Sequence, residues 1–211
     1  MENIEEVVEK EELYLSYDIE SNGPVPGLYS MLSFGVAAFT LANGLMDTFE
    51  RNLMLLPGAI EDRQTMEDFW VRFPEVYMKT RVNMVQPKQA MNDFDKWVGK
   101  FISTYKVVNV AGPAAFDFAW IAYYMNYAKA HKNNNVGYSC LDIRSYAAAV
   151  QKLPYRSTGK RSYPERWFEP GLPHTHVALD DATEQAAITY HMMREHLGMP
   201  HKSFKPTTEE A

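Results

Sequence analysis

The chain has 211 residues, enough for one domain with a sizeable core. Apolar residues make up 46% and charged residues 23%, ordinary globular usage that excludes a disordered or fibrous chain. Lys and Arg number 21 against 27 Asp and Glu, a net charge of -6, which excludes a polybasic protein that coats duplexes but leaves room for nucleic-acid contact in one small place.

Residues 1–12 carry six Glu and one Lys, an acidic leader expected to be a solvated arm or a short frayed helix. LYLSYDIE (13–20) alternates as a strand does, with Leu13, Leu15 and Tyr17 on one face and Tyr14, Ser16, Asp18 and Glu20 on the other. The turn-rich SNGPVPG (21–27) leads into a β-leaning run over 29–41. Asn43-Gly44 signals a two-residue hairpin, followed by a third strand over 45–56. A helical piece is predicted around Met66–Phe73, capped by Thr65 or Asp62. A clearer helix follows over 87–104, with Ala90, Met91, Phe94, Trp97, Val98 and Phe101 as its apolar stripe.

The second half alternates. A buried strand is predicted over 106–112, an almost wholly apolar helix over 114–132, and a loop at 133–137. A fifth short strand at 139–143 and a helix through 147–150 follow. Residues 153–175 read as irregular, the kind of long stretch that is usually functional or disordered. The last helix spans 177–198 and is stopped by Gly198 and Pro200. The tail at 200–211 shows no core pattern. The order β-β-β-α-β-α-β-α implies an α/β fold: a mixed five-stranded sheet, three antiparallel strands and then alternating parallel ones, flanked by helices. One domain over 13–199 is expected between leader and tail. The single cysteine, Cys140, excludes an internal disulfide and reads as a core residue. No apolar run reaches the roughly 20 residues that span a bilayer. The acidic start lacks the pattern of a signal peptide, so a cytoplasmic location is expected.

Acidic residues on elements expected to be buried are the informative anomaly, because Asp and Glu are rarely buried unless paired or bound to a metal. Asp18 and Glu20 lie two apart on one face of the first strand. Asp117 sits in the apolar helix start GPAAFDFAW, as a site residue or a helix cap. Asp180 and Asp181 open the last helix, just after His176. Converging carboxylates need a counter-cation, and hard oxygen donors suit Mg²⁺ or Mn²⁺. His176 is a base suited to neutral pH.

The strings YDIESNG, AAFDFAW and HVALDD, in this order, resemble the three motifs of the DEDDh-type 3′–5′ exonucleases, the branch of the ribonuclease H-like fold that contains ribonuclease T, oligoribonuclease and proofreading exonucleases. The resemblance spans residues 13–190. It implies a ribonuclease H-like fold and release of nucleoside 5′-monophosphates from a single-stranded 3′ end, RNA or DNA. It implies two divalent ions held by Asp18, Glu20, Asp117 and Asp181, with His176 as general base; the spacing from His176 favours Asp181 over Asp180. Ser21, which follows the first motif's Glu20, and Leu28 and Tyr29, where relatives often place an apolar wedge, are candidate substrate contacts. The chain departs from the pattern before Asp117, where Ala111-Gly112-Pro113 replaces the usual His-Asn, and in its long segment from Pro57 to Val85.

The stretch 152–166 carries Lys152, Arg156, Lys160, Arg161 and Arg166 against Glu165, a local charge of +4, with Tyr155 and Tyr163 between them. Cations interleaved with rings suit a single strand, so Arg156, Lys160 and Arg161 are expected to grip substrate. The alternative is a catalytically weak nucleic-acid-binding or interaction subunit of a replication or RNA-processing complex. In that case, or in a homodimer, the acidic termini would serve as docking segments.

Overall fold

The computed structural model describes residues 10–130 and 135–205. Most of the acidic leader, the end of the predicted 114–132 helix with the start of the next loop, and the last residues of the tail lie outside the described residues. Three strands open the chain: β1 (Glu12–Ser21), β2 (Met31–Thr40) and β3 (Gly44–Asn52). Then come α1 (Pro74–Thr80), α2 (Pro87–Gly99), β4 (Lys106–Ala111), α3 (Ala114–Ala128), β5 (Cys140–Asp142), α4 (Ile143–Gln151) and α5 (Ala178–His196). The strands form one mixed sheet in the order β3-β2-β1-β4-β5. β1 pairs antiparallel with β2 and parallel with β4, and β4 pairs parallel with β5. This is the predicted α/β architecture.

Both faces of β1 are buried, which explains its run of apolar residues. Leu13, Leu15, Tyr17 and Ile19 pack with Phe94, Trp97, Trp120 and Tyr124 of α2 and α3. Tyr14 on the opposite face packs with Ala186, Tyr190 and Phe204. Phe94 is the hub on the first side, with ring centroids 5.6 to 6.0 Å from those of Phe34, Phe49, Tyr17 and Trp97. Helices therefore cover the sheet on both sides.

Several boundaries differ from the sequence reading. The hairpin loop has three residues, since Thr40 pairs with Gly44 and a bulge falls at Ala38/Phe39. β3 stops at Asn52, and Leu53 continues only as a bridge to Val85. The piece at 66–73 is two short irregular turns, Thr65–Phe69 and Trp70–Arg72. Asp62 accepts from the Thr65 amide at 2.8 Å and so opens the first turn. Pro74 then starts α1 as a separate helix, its missing N–H tolerated in the first turn. α2 ends at Gly99 and α3 at Ala128. Residues 153–175 contain three single 3₁₀ turns. The tail is not without a core role: Phe204 is fully buried against Phe39 and Tyr190.

One close approach sets where α5 lies. A Cβ on Gly35 would come within 2.4 Å of the Leu179 backbone, so only glycine lets the first turn of α5 rest on β2. Gly35→Val is expected to lower stability by about 1–3 kcal/mol, as overpacking does. Gly159→Ala, where nothing lies within 4 Å of the added carbon, should stay within about 0.5 kcal/mol. Denaturant midpoints of the two variants check this; equal midpoints would refute the packing argument.

Candidate active site

Pairing of β1 with β4 ends at Tyr17 and Ala111. Asp18 and Glu20 therefore lie past the end of β4, at the carboxyl edge of the parallel strands, where open α/β sheets usually place their ligands. β4 feeds directly into α3, whose first turn holds Asp117. The helix begins at Ala114 after Pro113, so Asp117 is inside it and not its cap. Asp117 is 4% exposed and its carboxylate accepts from the Ile19 amide, which lies between Asp18 and Glu20. Asp181, 1% exposed, sits in the first turn of α5. Its carboxylate accepts from the amides of Thr175 at 2.8 Å and His176 at 3.1 Å. The Asp18, Glu20 and Asp181 carboxylates come together, with one oxygen of each within 4.8 Å of the others. His176 adjoins them in a left-handed backbone conformation, φ 60°.

These acids repel one another in a poorly solvated place. Asp18 is raised well above the usual carboxylate range, first by burial and then by Asp117, Glu20 and Asp181. Glu20 is pushed up to about 9 by burial and then by Asp181 and Asp117. Burial raises Asp117 to about 7 against the bonds from backbone amides. Asp181 is raised by burial, opposed by the Thr175 amide, His174 and Lys160. His176 is lowered, first by burial and then by His174, so its imidazole is neutral at neutral pH. A buried all-oxygen set that repels itself fits hard divalent cations, which would neutralise it.

Three neighbours, Gln185, Glu184 and His174, carried no motif signal, and Lys160, expected as a substrate contact, joins them. Gln185 Nε2 donates to Asp18 Oδ1 at 2.9 Å across 167 residues of chain. Lys160 forms an ion pair with Glu184 at 2.5 Å, and its ammonium offsets the charge on Asp18, Asp117 and Asp181. His174 Nδ1 lies 2.9 Å from Asp181 Oδ2. Glu184 and Gln185 follow Asp181 by three and four residues, one helical turn on the same face, which is the signal that would have found them. The long segment after β3 also reaches the site. Phe73 and Phe69 pack on the His176 ring, with centroids 4.3 and 5.3 Å away. Trp70 Nε1 donates to the Ser21 carbonyl at 3.0 Å.

The other sequence candidates are dispersed around this centre. The Ser21 hydroxyl donates to the Gly23 carbonyl at 2.7 Å, within the turn. Tyr29 lies so close over Gly23 that a Cβ there would come within 2.2 Å of its ring, while Leu28 is half exposed. Arg156 and Arg161 are exposed on the 152–166 stretch. Tyr155 lies under the Arg144 guanidinium, 4.5 Å from it, and Tyr163 packs on Trp167. Cys140 is partly buried and burial pushes its thiol up to about 12, which removes it as a nucleophile.

No family model matches the chain. A 3′–5′ DNA exonuclease of Escherichia coli, Cap18, is 28% identical over 180 residues, which cover 84% of this chain and 89% of that protein. The nuclease domain of 3′hExo, a DEDDh family member solved with bound rAMP, superimposes with a TM-score of 0.65 over 92% of this chain and 96% of that one, at 13% identity. In sequence the chain is similar to a 3′–5′ DNA exonuclease, and in fold to the nuclease domain of a DEDDh family member. Pop2p of S. pombe, solved with Mg²⁺ and Mn²⁺ bound, gives a TM-score of 0.50 at 13% identity, over 87% of this chain and 84% of that one. Among the described residues no helix is long and apolar enough to cross a membrane.

The raised carboxyl groups have a measurable consequence. Between their ordinary values and the raised ones, the folded chain holds protons that the unfolded chain has released, so stability falls as pH rises. With Glu20 at about 9 and Asp117 at about 7, the metal-free protein should lose stability from roughly pH 5 to roughly pH 9. Mg²⁺ or Mn²⁺ should flatten that slope. Melting in EDTA and in metal across this range checks it; a metal-free profile that rises with pH would refute it.

Proposed function

We propose that the chain is a metal-dependent exonuclease that removes nucleoside 5′-monophosphates from the 3′ end of single-stranded nucleic acid. The convergence of Asp18, Glu20 and Asp181, with Asp117 facing them and His176 alongside, carries this reading. The likeness to an exonuclease at 28% identity supports it, and makes DNA the first substrate to test. All five positions of the motif set are present, which favours an enzyme over a binding-only subunit.

Asp18, Glu20, Asp117 and Asp181 would hold two divalent cations. When bound, such ions neutralise the phosphate and lower the pKa of the attacking water. The carboxylates are held for this task before any ligand arrives: Asp181 by two backbone amides, Asp18 by Gln185 and Asp117 by the Ile19 amide. His176 takes the proton from the attacking water. Its depressed pKa keeps it in the basic form, and the Phe69 and Phe73 rings fix its plane and exclude bulk water. The half-exposed Leu28 would wedge against the terminal base. Arg156, Lys160 and Arg161 supply phosphate contacts from the stretch that precedes His176.

Strands labelled at either end, in DNA and RNA, single and duplex, test the reading with Mg²⁺, Mn²⁺ and EDTA. Stepwise products from the 3′ end that vanish in EDTA are expected; internal cuts or indifference to EDTA would overturn it. Asp18→Asn and Asp117→Asn should each lower kcat by about a thousandfold or more, as loss of a group stabilising transition-state charge does. His176→Ala should lower it by roughly 10²–10⁴. Near-full activity in either carboxylate variant would remove the site assignment. Arg156→Glu with Arg161→Glu should raise KM and flatten its dependence on salt, with little change in kcat. An unchanged KM would leave these two residues as surface charge.

A further inference from the structure

A second donor set shares one ligand with the carboxylate centre. His174, His176 and Asp181 each offer one atom within 4.8 Å of the others. His174 Nδ1 lies 2.9 Å from Asp181 Oδ2. The two imidazole rings are 4.6 Å apart and inclined at 74°. We propose that these three residues form a transition-metal site that takes Zn²⁺ and, when filled, switches off the carboxylate centre. The inhibitory half of this inference rests on the exonuclease reading; the binding half does not.

The chemistry differs from that of the neighbouring cluster. Four carboxylates offer only hard oxygen, suited to Mg²⁺ and Mn²⁺, whereas two imidazoles and one carboxylate are a borderline set that prefers Zn²⁺. The set is also held in place. Two amides hold Asp181, and two phenylalanine rings hold His176. The His174 side chain is 44% exposed, which gives an ion a way in. The Lys160 ammonium, 3.2 Å from His174 Nδ1, now supplies the positive charge at this corner. Its side chain is 40% exposed, so an incoming dication can displace it toward solvent. A Zn²⁺ ion here would engage the lone pair by which His176 acts as a base and would draw Asp181 from the four-carboxylate set. Occupancy of the two sites is therefore mutually exclusive, and Zn²⁺ acts as an off-switch competing with Mg²⁺.

The test uses Asp18→Asn/Glu20→Gln, which disables the carboxylate centre and leaves the second set whole. Co²⁺ added to this variant should give the visible absorption of a low-coordinate site, and Zn²⁺ should bleach it at one equivalent while excess Mg²⁺ does not. Adding His174→Ala should weaken Co²⁺ and Zn²⁺ binding by about tenfold or more, with circular dichroism verifying the fold. In the wild type, Zn²⁺ should inhibit Mg²⁺-supported hydrolysis, and His174→Gln should raise the half-inhibiting concentration by a similar factor. Absent Co²⁺ binding, or equal affinity with and without His174, overturns the proposal. Because the titration needs no catalysis, its failure is distinct from an inactive wild type, which would overturn the exonuclease reading instead.

Discussion

The site depends on how closely the last helix lies on the sheet. Asp181 belongs to α5, and Asp18 and Glu20 belong to β1, more than 150 residues earlier. Their carboxylates can meet only if the first turn of α5 comes down almost onto backbone. Gly35 permits this: it pairs with Asp18 across β1 and β2 and leaves the volume that the Leu179 backbone fills. The absence of one side chain on β2 thus brings an acid of the last helix to the acids of the first strand. Along the rest of α5, Ala186, Tyr190 and Met193 pack with Phe39 and the tail residue Phe204, so apolar burial holds the helix down against the repulsion at its start.

That repulsion is an energetic penalty built into the fold. Glu20 and Asp117 are raised above ordinary carboxylates chiefly by burial. The compensations are specific and mostly neutral: backbone amides on Asp181 and Asp117, and an amide side chain on Asp18. Lys160, a positive charge at close range, is tied to Glu184 and so offsets the carboxylates without capping them. Amides orient carboxylates without cancelling their charge as a directly paired arginine would. The centre therefore keeps its appetite for cations, the property a metal-dependent phosphodiesterase needs.

Much of this was legible in the sequence because buried acids are anomalies. Asp18 and Glu20 on an apolar strand, Asp117 in an apolar helix and Asp181 behind Val177-Ala178-Leu179 each contradict their surroundings, and a residue that contradicts its surroundings is where function usually lies. Sheet order followed from the change from meander to alternation. Other features left no local trace. Gln185 on Asp18 is a contact between the two ends of the chain, and periodicity does not report contacts of that separation. The Pro57–Val85 segment is a departure from the family pattern, yet its Phe69, Trp70 and Phe73 build a wall around His176 and Ser21. Aromatic residues in an irregular stretch carry no pattern that says which surface they cover. The tail's role leaves no trace for a related reason: a single anchoring residue, Phe204, makes no periodicity.

The net charge of -6 takes on a different meaning in three dimensions. The leader contributes -5 and the 152–166 stretch +4, so the remainder carries -6 + 5 - 4 = -5. Four of those formal negative charges belong to the converging carboxyl groups, which bound cations would hold ionised and neutralise. The basic stretch reaches the acidic centre through Lys160, which pairs with Glu184 one turn after Asp181, while Arg156 and Arg161 are exposed on the same stretch. Charge arranged this way attracts a phosphate backbone over a short length and repels it elsewhere on the surface. An acidic composition and a nucleic-acid substrate are therefore compatible, because the basic charge is gathered on one short stretch.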